Sequence, residues 1–111
     1  MNNKKEAKVH DGGVTQELIQ TWKARYRKVY QISILDEQDK YCGFFRRPDM
    51  ETMSAVSKIS KNDEIKGAST LFDNCWLGGD DNLREDFFLK SAAIKELSSI
   101  FGSVTGEIKN L

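Results

Sequence analysis

At 111 residues the chain can bury one hydrophobic core but not two. Charged residues at 31% against 39% apolar describe an ordinary folded domain and exclude a disordered chain. Lys and Arg number 17, as do Asp and Glu, and a net charge of zero argues against a dedicated nucleic-acid binder, whose affinity comes mainly from neutralising phosphates.

That balance hides an asymmetry. Residues 1–47 carry ten Lys/Arg against six Asp/Glu, and residues 48–111 carry seven against eleven. Such a dipolar chain can self-associate head to tail or meet a charged partner, although chance differences between solvated faces explain it equally well. Cys42 and Cys75 both sit among apolar or aromatic neighbours, the setting of buried free thiols in a reducing compartment. The start, Met-Asn-Asn-Lys-Lys-Glu-Ala-Lys, lacks the apolar stretch of a signal peptide, and no run approaches the ~20 apolar residues of a membrane span. The expected location is the cytoplasm.

Residues 1–13 are polar, end in Asp11-Gly12-Gly13 and read as a flexible arm; a single domain is expected over 14–104 and a tail over 105–111. From Thr15, a plausible N-cap, the pattern is helical, with Leu18, Ile19, Trp22 and Tyr26 on one face. The period then changes to two: Tyr30, Ile32 and Ile34 alternate with Gln31 and Ser33, residues 36–39 make a polar turn, and 40–46 return as a second strand. Two strands alone are marginal in water, so this hairpin must pack on helices or extend a partner's sheet.

Pro48 stops the strand and Asp49 caps a helix with Met53, Val56 and Ile59 on its apolar edge. Asn62-Asp63 interrupts it. A further helix carries Ile65, Ala68, Leu71, Phe72 and Cys75, with Trp76 closing it inside the core and Gly78-Gly79 as its stop signal. After the loop 80–82 the spacing predicts one helix over 84–101, with Leu89, Ala93, Leu97, Ile100 and Phe101 as the core stripe, Phe88 and Ala92 widening it, and Gly102 ending it. Glu85 and Asp86 complement the dipole of its first turn. The predicted class is α+β: an N-terminal helix, a β-hairpin, then a mainly helical C-terminal part of about three helices.

Catalytic constellations are scarce. The single histidine, His10, lies in the arm, so neither a Ser-His-Asp nor a Cys-His arrangement forms unless that arm folds inward. Two cysteines 33 residues apart do not make a zinc knuckle. Asp80, Asp81, Asn82 and Asp86 suggest calcium, but counting from Asp80 puts Glu85 where an EF-hand needs glycine and Ser91 where it needs glutamate. Gly78-Gly79 has no lysine-serine after it and is not a phosphate loop. No cofactor, metal or catalytic residue is expected. Tyr41, Phe44 and Phe45 beside Arg46 and Arg47 could stack nucleic-acid bases, but an aromatic core face with arginines at its rim accounts for them as well.

Three stretches carry a family resemblance. They are Trp22-Lys23-x-x-Tyr26 running into strand 29–35; Phe45-Arg46-Arg47-Pro48-Asp49 with Met53-Ser54-Ala55; and Leu71-Phe72-Asp73-Asn74-Cys75-Trp76-Leu77-Gly78-Gly79-Asp80 leading into Asp86-Phe87-Phe88-Leu89-Lys90-Ser91-Ala92. Over residues 22–101 the chain resembles the small tail assembly chaperones of tailed phages and prophages. The resemblance implies a non-enzymatic role: keeping the tape measure protein, a long and aggregation-prone helical client, soluble until the tail tube forms around it. It also implies multimers in several members. The candidate protein-binding face is the hairpin with the helix beside it, namely Trp22, Tyr26, Tyr41, Phe44, Phe45, Arg46 and Arg47. Two other readings stay open here: a bacterial interaction module of another role, or a small nucleic-acid-binding regulator.

Overall fold

A computed structural model describes residues 11–100 and 104–111; the readings that fall on residues 1–10 with His10, on Phe101 and on Gly102 lie outside the described residues. Local capping chemistry starts the first three helices. Thr15 opens α1 (Gln16–Arg25), its Oγ1 accepting the Leu18 N–H at 3.2 Å. Asp49, behind Pro48, opens α2 (Met50–Ser60), its Oδ1 accepting the Thr52 N–H at 2.8 Å. That bond is the main reason the Asp49 carboxyl titrates below its ordinary value. Asp63 does the same for α3 (Glu64–Cys75) through the Lys66 N–H at 3.0 Å.

Between α1 and α2 lie β1 (Val29–Asp36) and β2 (Asp39–Arg46), joined by a two-residue turn in which Glu37 takes a φ of 56°. After α3 come β3 (Trp76–Gly79), α4 (Asn82–Glu85) and α5 (Phe87–Ser99), while residues 104–111 carry no regular structure. The class is α+β, in the order helix, hairpin, helices, with a third strand added.

That strand corrects the reading of Gly78-Gly79 as a helix stop. Helix α3 ends at Cys75, and Trp76–Gly79 turns extended to pair antiparallel with β2, giving the order β1-β2-β3. Phe45 faces Trp76, Phe44 faces Gly78 and Gly43 faces Gly79, with a bulge between Phe44 and Phe45. Both glycines serve close approach. A Cβ on Gly78 would lie 3.0 Å from the Trp22 ring, and on Gly79, which has φ 137°, a Cβ would collide with the Cys42 carbonyl. Asp80 then fastens the strand: the Cys42 N–H donates to Asp80 Oδ2 and the Asp80 N–H donates to the Cys42 carbonyl, both at 2.8 Å.

The single helix expected over 84–101 is two. Asp86 leaves the helical conformation, and its side chain accepts the Phe88 and Leu89 N–H groups at 2.9 and 3.0 Å, so it caps α5 and ends α4. The break lets the one-turn α4 bury Leu83 completely. The N-terminal boundary also shifts: residues 11–13, assigned by sequence to the arm, form a 3-10 turn packed on β2 and β3, and Val14 after it is buried.

The sheet separates two apolar clusters. Facing α2–α5, Ile32, Ile34, Phe45, Phe72, Cys75, Leu83, Leu89, Ala93 and Leu97 form the main core. On the opposite face Val14, Trp22 and Phe44 make a smaller one, with Ile19, Tyr26, Val29 and Leu77 around it. Three residues assigned to the core are placed otherwise. Trp76 is half-buried, stacked on Phe72 with ring centroids 5.5 Å apart, while Ile65 and Phe88 face water, at 72% and 80% exposure.

Candidate functional site

The seven candidate residues of the hairpin face do not form one surface, because alternate residues of β2 point to opposite sides of the sheet. Phe44 packs against Trp22 at 5.8 Å between ring centroids, half-buried Tyr26 lies in the same cluster, and the Arg46 guanidinium sits 5.8 Å from the Tyr26 ring. These four come together. Tyr41 and Phe45 go to the other face, where Phe45 is fully buried in edge-to-face contact with Phe72 and Trp76 at 5.2 and 5.5 Å.

Arg46 acts as a clamp between β2 and α2. Its Nη2 donates to Thr52 Oγ1 at 3.4 Å, its Nη1 donates to the Arg47 carbonyl at 3.2 Å, and Asp49 lies 3.9 Å away. Arg47 is half-buried beside it. The expectation that Phe44 and Phe45 offer an apolar landing surface is therefore corrected: both are core residues, at 3% and 0% exposure.

An apolar groove lies among the helices on the other face of the sheet. Between α3 and the α4–α5 junction runs a groove of about 380 Å³, walled by Ile65, Ala68 and Ser69 from α3 and by Phe87, Lys90, Ser91 and Ile94 from α5, with Arg84, Glu85 and Asp86 at its end. Lys90 ties the two helices at one side: its Nζ donates to Ser69 Oγ at 2.8 Å and to Asp73 at 3.2 Å, and lies 5.0 Å from the Phe72 ring centre. Ile65 and Phe87 stand open in it, at 72% and 64% exposure, and Phe88 pairs edge-to-face with Phe87 at 5.7 Å.

Large apolar side chains exposed together mark binding surfaces far more often than scattered single ones do. A sequence signal for them existed. Phe87-Phe88-Leu89 is an unbroken apolar run, and a helix that buries Leu89 against the sheet must turn at least one of its two predecessors outward.

The polar groups singled out in the sequence have structural duties. Cys42 and Cys75 are buried free thiols; Ser33 Oγ lies 3.2 Å from Cys42 Sγ, and burial pushes the Cys75 thiol up to about 11. Burial, reinforced by Asp39 and Asp36, raises the Tyr41 phenol. Of the loop acids, Asp80 holds β3 to β2, Asp81 pairs with Arg84 at 3.5 Å and Asp86 caps α5. Among the described residues no three His, Cys, Asp or Glu side chains gather as a metal-sized cluster, and no helix is long and apolar enough to cross a membrane.

No protein-family model matches the chain, and no curated protein matches it. Among solved structures it is similar to that of rbstp2171, an uncharacterised protein from Bacillus stearothermophilus. The two superpose with a TM-score of 0.54 at 19% identity, over 83% of this chain and 99% of that one. The likeness is one of fold alone.

Proposed function

We propose that this chain is a non-enzymatic protein-binding module that holds an apolar helical segment of a client soluble, in the manner of the tail assembly chaperones it resembles. The observation that carries the reading is the groove between α3 and α5, with Ile65 and Phe87 exposed in its walls and Phe88 exposed beside Phe87. Its occupant is an amphipathic helix of a tape-measure-like client. A channel between two helices accepts side chains spaced three and four apart, and such clients are long, helical and poorly soluble when unassembled. This reading moves the binding surface from the hairpin aromatics to the helices on the other face of the sheet. The cytoplasmic location belongs to the same proposal.

The test is light scattering of an aggregating tape-measure fragment with increasing amounts of this protein. The wild type should keep the fragment in solution. Ile65→Glu combined with Phe87→Glu changes two exposed side chains and should leave circular dichroism unaltered while weakening protection about tenfold or more, as expected when anchors of an interface are lost. Equal protection by the double variant, or none by the wild type, would overturn the proposal.

A further inference from the structure

Strand β1 is an edge of the sheet: β2 pairs with one side of it, and among the described residues no strand pairs with the other. Natural edge strands are usually short or carry charge or proline that discourages pairing. This one is eight residues long, and from Val29 to Leu35 it has no charged residue and no proline.

The hairpin register fixes which backbone groups face outward. Asp36 and Asp39 close the two-residue turn, so they and every second pair before them, Ile34 with Tyr41, Ile32 with Gly43 and Tyr30 with Phe45, exchange hydrogen bonds inside the hairpin. The N–H and C=O groups of Val29, Gln31, Ser33 and Leu35 therefore point away from β2.

We infer that β1 pairs antiparallel with β1 of a second copy of this chain across a two-fold axis at Ile32, making one continuous six-stranded sheet. The strand carries its own complement. In that register Gln31 faces the partner's Ser33 and Val29 faces the partner's Leu35, all residues with outward backbone groups, so the ladder closes. Tyr30 faces the partner's Ile34 on the core side of the sheet, and the two Ile32 side chains meet on the axis.

Just beyond the apolar stretch Lys28 faces the partner's Asp36, and the symmetry makes the pair twice. Moving the axis to Gln31 puts Lys28 opposite Ile34, and moving it to Ser33 puts Tyr30 opposite Asp36, so charge and hydrogen bonding select the axis at Ile32. The inference stands apart from the client groove, which opens between other elements.

Analytical ultracentrifugation over a concentration series tests it. The wild type should dimerise. Lys28→Glu or Asp36→Lys alone should each raise the dissociation constant about tenfold, since either change turns two attractions into two repulsions. The two changes together restore opposite charges and should return the constant to near the wild-type value, a rescue that damage to the fold would not give. Ser33→Pro removes an outward N–H that the hairpin does not use and should give a folded monomer. A wild type that stays monomeric throughout the series, or a dimer indifferent to all these changes, would overturn the inference.

Discussion

The two faces of the sheet are built on different scales. Eleven buried residues drawn from the sheet and helices α2–α5 make one cluster, while Val14, Trp22 and Phe44 make the other. The larger cluster joins elements distant in sequence and must form for the chain to fold at all. The smaller one attaches α1 and the turn before it, largely through one indole lying on Phe44 and Gly78. Domains commonly open in units of such unequal stability. Helix α1 is thus an adornment of the sheet, whereas α3 and α5 are its foundation, and the groove proposed to take a client lies between the latter two.

The sharpest way to break this comparison is to truncate one aromatic on each side. Phe72→Ala removes a fully buried ring that contacts Phe45 and Trp76, and should cost about 3–5 kcal/mol, with a single cooperative loss of structure. Trp22→Ala should cost less, about 1.5–3 kcal/mol, because the damage ends once α1 detaches. Chemical denaturation gives the two values. Hydrogen exchange should show faster exchange confined to α1 in Trp22→Ala and spread over every element in Phe72→Ala. Equal losses with equal spread would show that the sheet has one core rather than two unequal ones.

A milder probe sharpens the same contrast. Cys42 lies on the α1 side of the sheet and Cys75 inside the main cluster, both fully buried. With its thiol held near 11, Cys75 is almost wholly protonated at pH 8, and only the thiolate reacts with alkylating agents. Iodoacetamide at pH 8 should therefore modify Cys42 first, through local opening of α1 and the adjoining turn, and reach Cys75 only at the rate of global unfolding. Cys75 reacting first would reverse the ranking of the two faces.

Much of this architecture is legible in the sequence wherever its cause is local. Thr15, Asp49 and Asp63 each cap a helix within three residues of themselves, and the alternation around Ile32 and Ile34 marks β1 as half-buried. What escapes the sequence has distant causes. Trp76–Gly79 becomes a strand because β2, some thirty residues earlier, presents an unpaired edge to it. Asp86 reads in the sequence as a first-turn acid, and it becomes a cap as Leu83 finds a hole in the core.

The candidate site shows the same division. The sequence picks out Phe44 and Phe45 as aromatics near a sheet edge, but Trp22 of α1 covers Phe44 while Phe72 of α3 and Trp76 of β3 cover Phe45, and only the first of these neighbours is signalled beside the hairpin. Ile65 and Phe88 fit helical periodicity yet face water, because spacing shows which residues share a stripe and not how wide a stripe the neighbours cover.

The central claim is that clients dock between α3 and α5 and leave the hairpin aromatics untouched. It is tested most directly by titrating the isotope-labelled protein with a synthetic amphipathic helical peptide carrying leucines at three- and four-residue spacing, and following backbone amide shifts. The predicted result is saturable movement at Ile65, Ala68, Phe87, Lys90 and Ile94 with little change at Trp22, Tyr26 and Phe44. Movement centred on Trp22, Tyr26 and Phe44, or no saturable movement anywhere, would contradict it.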